Sequence, residues 1–369
     1  MDSRERTFLA LGRQEPDRVP IDFWSSRGLD RSLGLDTPQA RQAFLDAYDV
    51  DLRYIEGPRY IGPPLRRWPD GTDEDIWGVV RRCQTVVVAH GREDYQEVYR
   101  SPLASAQSPE EVDAYPRWPT ADWFDYADIA RQCQAVRRQG RVAVFMGDRL
   151  NRIAQLKPAM YLRGVEQILL DMAWNPELAQ AIIGRIRAFY LDYLERILEA
   201  AQGQLDILLT GDDFGAQNGP LISPGMWVRY LGDGFAQYSS LARQAGVRVA
   251  HHTCGAVRPI IPLMIERGLD VLQSLQPEAA DMDPQTLKDG FGDRLAFHGG
   301  ISIQRTLPLG TPQDVRREVQ ERIEILGRGG GYIACTAHNI QADTPAENVR
   351  TLLQAYHEFG RYAHLSPET

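Results

Sequence analysis

The sequence predicts an α/β fold, a (β/α)8 TIM barrel with an N-terminal extension and a small β-rich insertion. Three observations predict it. From about residue 120 onward, short apolar runs alternate with amphipathic helical stretches, the pattern of a parallel sheet with right-handed crossovers. About eight βα units can be counted, which suits a closed barrel better than an open doubly wound sheet. The residues able to do chemistry stand just after the apolar runs, where a barrel keeps its site.

The elements follow in order. Residues 3–13 read as a helix, residues 18–24 as a strand, 37–49 as a helix and 52–55 as a strand. Between residues 57 and 105 Gly and Pro are frequent, and residues 76–80 and 84–88 are rich in β-branched side chains. Short antiparallel strands in an insertion covering the barrel mouth are expected there. A helix over 122–138 then leads to a strand over 142–146, and helices over 160–173 and 176–201 lead to one over 207–210. Helices over 224–245, 256–267, 284–289 and 312–328 lead to strands over 247–251, 271–274, 295–298 and 331–335, and a last helix covers 345–362. The whole chain, 1–369, reads as a single domain. The glycines at 329–331 precede a strand, the wrong context for a dinucleotide loop.

Composition narrows the partners. The net charge is −9 with no sustained basic run, which argues against nucleic acid, since phosphate binding needs concentrated Lys and Arg. The apolar runs are far too short to span a bilayer, and the charged start, Met1 to Arg6, is unlike a signal peptide. Four widely spaced cysteines suit a reducing compartment, so a cytoplasmic location is expected.

Two constellations carry chemistry. His252-Thr253-Cys254 leaves one strand, and Cys335 and His338 leave another. Thiolate and imidazole together favour zinc in a tetrahedral site, and an open zinc position lowers the pKa of a bound thiol. Cys335 and His338 both stand where a further ligand is needed, and the spacing leaves the choice open. Asp212 and Asp213 follow the strand at 207–210. Adjacent carboxylates point apart, so one faces the cavity and the other caps a helix or binds backbone amides; either is a catalytic candidate. Asp22, Trp24, Tyr60, Gln217, Gln276, Asn339 and Gln341 are candidate substrate-binding residues. His251 points away from His252 along the strand and is read as structural.

Gln14-Glu15-Pro16-Asp17-Arg18-Val19-Pro20, Leu162-Arg163-Gly164, Ser223-Pro224, His252-Thr253-Cys254-Gly255 and Phe297-His298-Gly299-Gly300 together resemble the uroporphyrinogen decarboxylase superfamily, as does the stretch from Gly330 through His338-Asn339-Ile340-Gln341 to Asn348. The resemblance spans nearly the whole chain and implies a TIM barrel. It is closest to the zinc-dependent corrinoid branch, typified by methylcobalamin:coenzyme M methyltransferases, which bind zinc through an H-x-C pair and a later cysteine. Here His252 and Cys254 match the pair, while His338 stands at the later cysteine's place and Cys335 three residues before it. The arginine-rich N-terminal motif of the decarboxylases is missing, with only Arg27 near Trp24. The resemblance implies a zinc-dependent methyltransferase working with a corrinoid (methylcobalamin) supplied by a partner protein; a homodimer is compatible with it. The alternative is a cofactor-free decarboxylase, and a third reading is a catalytically silent barrel that binds a ligand.

Overall fold

The computed structural model describes residues 1–147 and 152–362; Asp148, at the end of the strand expected over 142–146, lies outside them. Among these residues the strands are β1 (Leu52–Tyr54), β2 (Arg59–Tyr60), β3 (Thr72–Glu74), β4 (Val80–Val88), β5 (Gly91–Arg100), β6 (Phe124–Asp125), β7 (Val142–Phe145), β8 (Ile207–Gly211), β9 (Arg248–His252), β10 (Val271–Leu275), β11 (Ala296–Ile301) and β12 (Tyr332–Thr336). Strands β1 and β7 to β12 form one parallel seven-stranded sheet in chain order, with helices between successive strands. Residues 20–22 fill the eighth position. Asp22 N donates to Ala334 O (2.9 Å) and Ala334 N to Pro20 O (2.8 Å), while on the other side Asp51 N donates to Ile21 O (2.8 Å). The segment is short because Pro20 cannot donate to a ladder. This is the expected TIM barrel.

Strand residues are buried on both faces, so each strand reads as a near-continuous apolar run. The two faces build two cores. Outward residues such as Phe145, Leu208, Val249, Leu272 and Phe297 pack against the helices. Inward residues such as Val142, Val144, Ile207, Leu209, Val271 and Ile333 form a separate aliphatic core inside the barrel. Leu11, at the end of the helix Ser3–Leu11, joins this inner core, and Gly331 N at the foot of β12 donates to Ala10 O (2.8 Å). The first helix therefore lies across the N-terminal end and stoppers it. Towards the other end the inward side chains turn polar: Tyr54, Gln273, His298, Cys335 and His252.

The region before β7 departs from expectation. Residues 76–79 are a turn, not a strand, because the Asp75 carboxylate accepts from Trp77 N (2.9 Å) and Val79 N (3.1 Å). The strand starts at Val80, and its long partner β5 is a charged, mostly exposed segment without an apolar run. The β4–β5 hairpin is tied to the barrel's mouth loops. The buried Glu93 carboxylate accepts from the Ser26 hydroxyl and from Ala342 N (2.7 Å). The helix expected from 122 begins at Ile129, because Phe124–Asp125 instead pairs antiparallel with β2. Among the described residues, no helix is long and apolar enough to cross a membrane.

Candidate metal centre and active site

Strand alternation sorts the two histidines that end β9. His251 points outward, stacks on Phe214 (5.1 Å between centroids, 13°) and bonds the Thr210 hydroxyl (2.8 Å). His252 points inward. Two residues on, Cys254 turns its thiol back to within 3.3 Å of His252 Nε2. His338, on the loop leaving β12, completes the group: the ligand atoms of His252, Cys254 and His338 all lie within 4.8 Å of one another. Trp24 walls this group, edge-on to His252 (5.3 Å, 87°) and tilted on His338 (5.0 Å, 32°).

The neighbours orient these ligands. Gln273 Oε1 can only accept, so its bond to His252 Nδ1 places the ring proton there and leaves the Nε2 lone pair facing Cys254 and His338. Ser274 follows with φ of 78°, at a register shift between β10 and β11. This strained left-handed residue puts its hydroxyl 3.6 Å from Cys254 Sγ. Burial pushes both ring pKa values down, His338 to about 4 and His252 well below its usual value, so both imidazoles are neutral. Burial, reinforced by Asp213, pushes the Cys254 thiol up to about 12. Two neutral imidazoles and a thiol that a cation would deprotonate fit a zinc ion well, with a fourth position left for a substrate.

The two aspartates diverge. Asp212 is fully buried, and its carboxylate accepts from Gln155 N (2.6 Å), Leu156 N (2.9 Å) and Lys157 N (2.6 Å). It anchors the start of the helix Leu156–Arg163, where the helix dipole also favours an anion. Both oxygens are thus committed, and the catalytic expectation for Asp212 is corrected to a structural one. Asp213 faces the mouth, with Oδ1 3.6 Å from His252 Nε2 and Oδ2 paired with Lys157 Nζ. Burial pushes its carboxyl up, but the Lys157 ammonium on Oδ2 outweighs this and holds it below the usual carboxylate range. Arg152 lies close by, its guanidinium 5.6 Å from the Trp24 ring centroid.

Comparison with known proteins gives the family. Residues 154–359 match the family model described as uroporphyrinogen decarboxylase (URO-D). The chain belongs to this superfamily. A uroporphyrinogen decarboxylase of Coxiella burnetii (strain Dugway 5J108-111) is 21% identical over 367 residues, covering 96% of this chain and 95% of that protein. A decarboxylase of Psychromonas ingrahamii (strain DSM 17664 / CCUG 51855 / 37) is 29% identical over 84 residues, 23% of each chain. Among solved structures, a methyltransferase from Methanosarcina mazei superposes with a TM-score of 0.65 at 19% identity, covering 97% of this chain and 99% of that one. This likeness supports the barrel fold. The protein is thus an enzyme of the URO-D superfamily.

In this URO-D barrel several expected site residues sit elsewhere. Cys335 does not join His252 and Cys254; it points into the barrel from β12, one layer deeper, beside Asp22 and His298. His338 takes the place beside the H-x-C pair because it lies beyond the strand end. Asp22 is likewise internal, bonded to His298 and Tyr54 rather than open to a substrate. Tyr60 packs on Trp123 and Phe124 and donates to Pro63 O (2.6 Å), so its ring and hydroxyl are engaged within the segment that follows β1 and with the one before Ile129. Gln276 Oε1 accepts from Gly255 N (3.1 Å), and its Nε2 donates to Gln217 Oε1 (3.1 Å), so this pair ties the loops after β8, β9 and β10. Gln341 accepts from Tyr95 of the hairpin (3.0 Å). Asn339 bonds its neighbour His338 and so bears on the metal group. Sequence reasoning missed Arg152, Lys157, Gln273 and Ser274. The inward position of Gln273, two residues after Val271 on a barrel strand, was a signal for it; Arg152 and Lys157 follow β7 with no motif to mark them.

Proposed function

We propose that this chain is a zinc-dependent methyltransferase, moving a methyl group between a corrinoid carried by a partner protein and a small acceptor or methoxylated donor. The observation that supports this reading is the convergence of His252, Cys254 and His338 within 4.8 Å, with Gln273 holding His252 by its far nitrogen. Zinc bound there would supply Lewis acidity to a substrate thiol or oxygen. The protein's own groups do the rest. Gln273 fixes the tautomer of His252, and Trp24 shields one side of the group from water. Asp213 sets a negative charge beside a ligand set that carries a single thiolate. Arg152 and Lys157 place positive charge at the mouth, which favours a substrate with an acidic group.

A second reading is a cofactor-free decarboxylase acting on a porphyrinogen or another acid. It is favoured by the near full-length Coxiella burnetii relative and by Asp213, a mouth carboxylate kept ionised and able to steady a cationic intermediate. Metal analysis of the purified protein, beside a His252→Ala, Cys254→Ser double variant, separates the two. About one zinc per chain, lost in the variant, is expected for the methyltransferase. No metal after zinc is supplied, with turnover in the absence of cobalamin, would select the decarboxylase.

A further inference from the structure

Below the candidate metal centre, Asp22, His298 and Cys335 form a second group whose ligand-type atoms also lie within 4.8 Å of one another, all of them buried. It resembles another cation site, but the carboxylate is already saturated. Asp22 Oδ1 accepts from Phe23 N (2.8 Å), and Oδ2 accepts from the Tyr54 hydroxyl (2.6 Å) and from His298 Nε2 (2.9 Å). A cation on Oδ2 would displace two of these three donors.

The unsatisfied atoms lie next to it. Gln273 Nε2 and His298 Nδ1 are buried and have no hydrogen-bond partner in the protein. Gln273 and His298 are register partners on β10 and β11, and both line one small void with Tyr54, floored by inner-core aliphatics. The room is about that of a single water, and its walls are almost wholly apolar. The two atoms are complementary. Gln273 Nε2 donates, and His298 Nδ1 accepts when the ring carries its one proton on Nε2, toward Asp22.

We propose that one buried water bridges Gln273 Nε2 to His298 Nδ1, making Asp22 and His298 positioning residues for His252. Every bond in the resulting chain then points the same way. His252 Nδ1–H donates to Gln273, Gln273 to the water, the water to His298, and His298 Nε2–H to the Asp22 carboxylate. A run of aligned donors ending on a carboxylate polarises each bond in it and raises the electron density on His252 Nε2. The consequence for metal affinity rests on the zinc reading above; the chain itself does not.

The test uses the full-length protein with ¹⁵N-labelled histidine. In the metal-free state, NMR should show His252 as the Nδ1–H tautomer and His298 as the Nε2–H tautomer. His298→Gln and Asp22→Asn should each shift the His252 ring nitrogens, while Cys335→Ser leaves them in place. Should His298→Gln fail to fold, Asp22→Asn and Tyr54→Phe carry the same readout. Zinc affinity, measured by chelator competition, should fall about tenfold in His298→Gln and stay unchanged in Cys335→Ser. His252 signals that ignore changes at Asp22 and His298 would overturn the proposal. So would a second zinc per chain that Cys335→Ser removes. If the His252 signals respond but the wild-type protein binds no zinc, the water chain stands and the zinc reading falls.

Discussion

Gly215 and Gly255 meet backbone to backbone, joining the loop that carries Asp213 to the loop that carries Cys254. A Cβ on Gly255 would sit 2.6 Å from the Gly215 carbonyl carbon, and one on Gly215 would sit 2.6 Å from the Cys254 carbonyl oxygen. Gly255 also has φ of 77°, which strains any other residue. Gly255→Ala is therefore expected to cost about 1–3 kcal/mol in backbone strain alone and to push the two loops apart. Chemical denaturation reads the first effect and zinc content the second; a variant as stable and as zinc-loaded as the parent would contradict the geometry.

Asp212 satisfies three backbone amides, those of Gln155, Leu156 and Lys157, that no other group reaches among the described residues. Asp212→Ala leaves them buried and unpaired, so a loss of about 3 kcal/mol is expected. Because both carboxylate oxygens are held by these amides, zinc binding at His252 and Cys254, as proposed, should be kept wherever the variant is folded. Asp213→Asn should do the reverse, keeping stability while weakening turnover. Urea midpoints and rates measured on both variants check the division of labour.

Zinc affinity should rise with pH. At neutral pH His252 and His338 are already neutral, whereas the Cys254 thiol, pushed up to about 12, still holds its proton. Binding then releases one proton, so the affinity should gain about a factor of ten per pH unit between about pH 6 and 8. Competition against a chelator of known protonation gives this slope directly. A flat profile would mean the thiol is not a ligand.

Acid stability should track Asp49. Burial pushes its carboxyl up, but Arg18 and Arg141 outweigh this and lower it from 3.8 to about 2. A carboxylate depressed on folding stabilises the native state above its unfolded pKa, and that contribution disappears as pH falls through the folded value. Asp49→Asn should therefore lose less stability than the parent between about pH 4 and 2. The side chain is half exposed, so the effect is modest. Equal acid losses in both proteins would rule this pair of contacts out as a contributor.

Barrel strands were readable because burial on both faces forces continuous apolar runs, and a run such as Val142–Phe145, set between two amphipathic helices, suits a central parallel strand. The β5 strand was not readable, because its exposed, charged side chains carry no burial signal; only its pairing with β4 makes it a strand. Alternation correctly separated His251 from His252. Spacing alone could not choose between Cys335 and His338. The choice depends on where β12 ends: at Thr336, Cys335 is still inside the barrel and His338 is beyond it. Gln217, Gln276 and Tyr60 resembled ligand-binding residues by type, but their partners come from distant segments and are fixed only by the tertiary fold.

The helix that stoppers the barrel with Leu11 makes the interior a dead end. Nothing can pass through it, so on the methyltransferase reading a small substrate and a partner protein would share one doorway above His252. On that reading the reactant arriving second would settle on top of the first, and the product nearer His252 would leave last. Order of arrival, rather than depth of binding, would then set the pace of turnover.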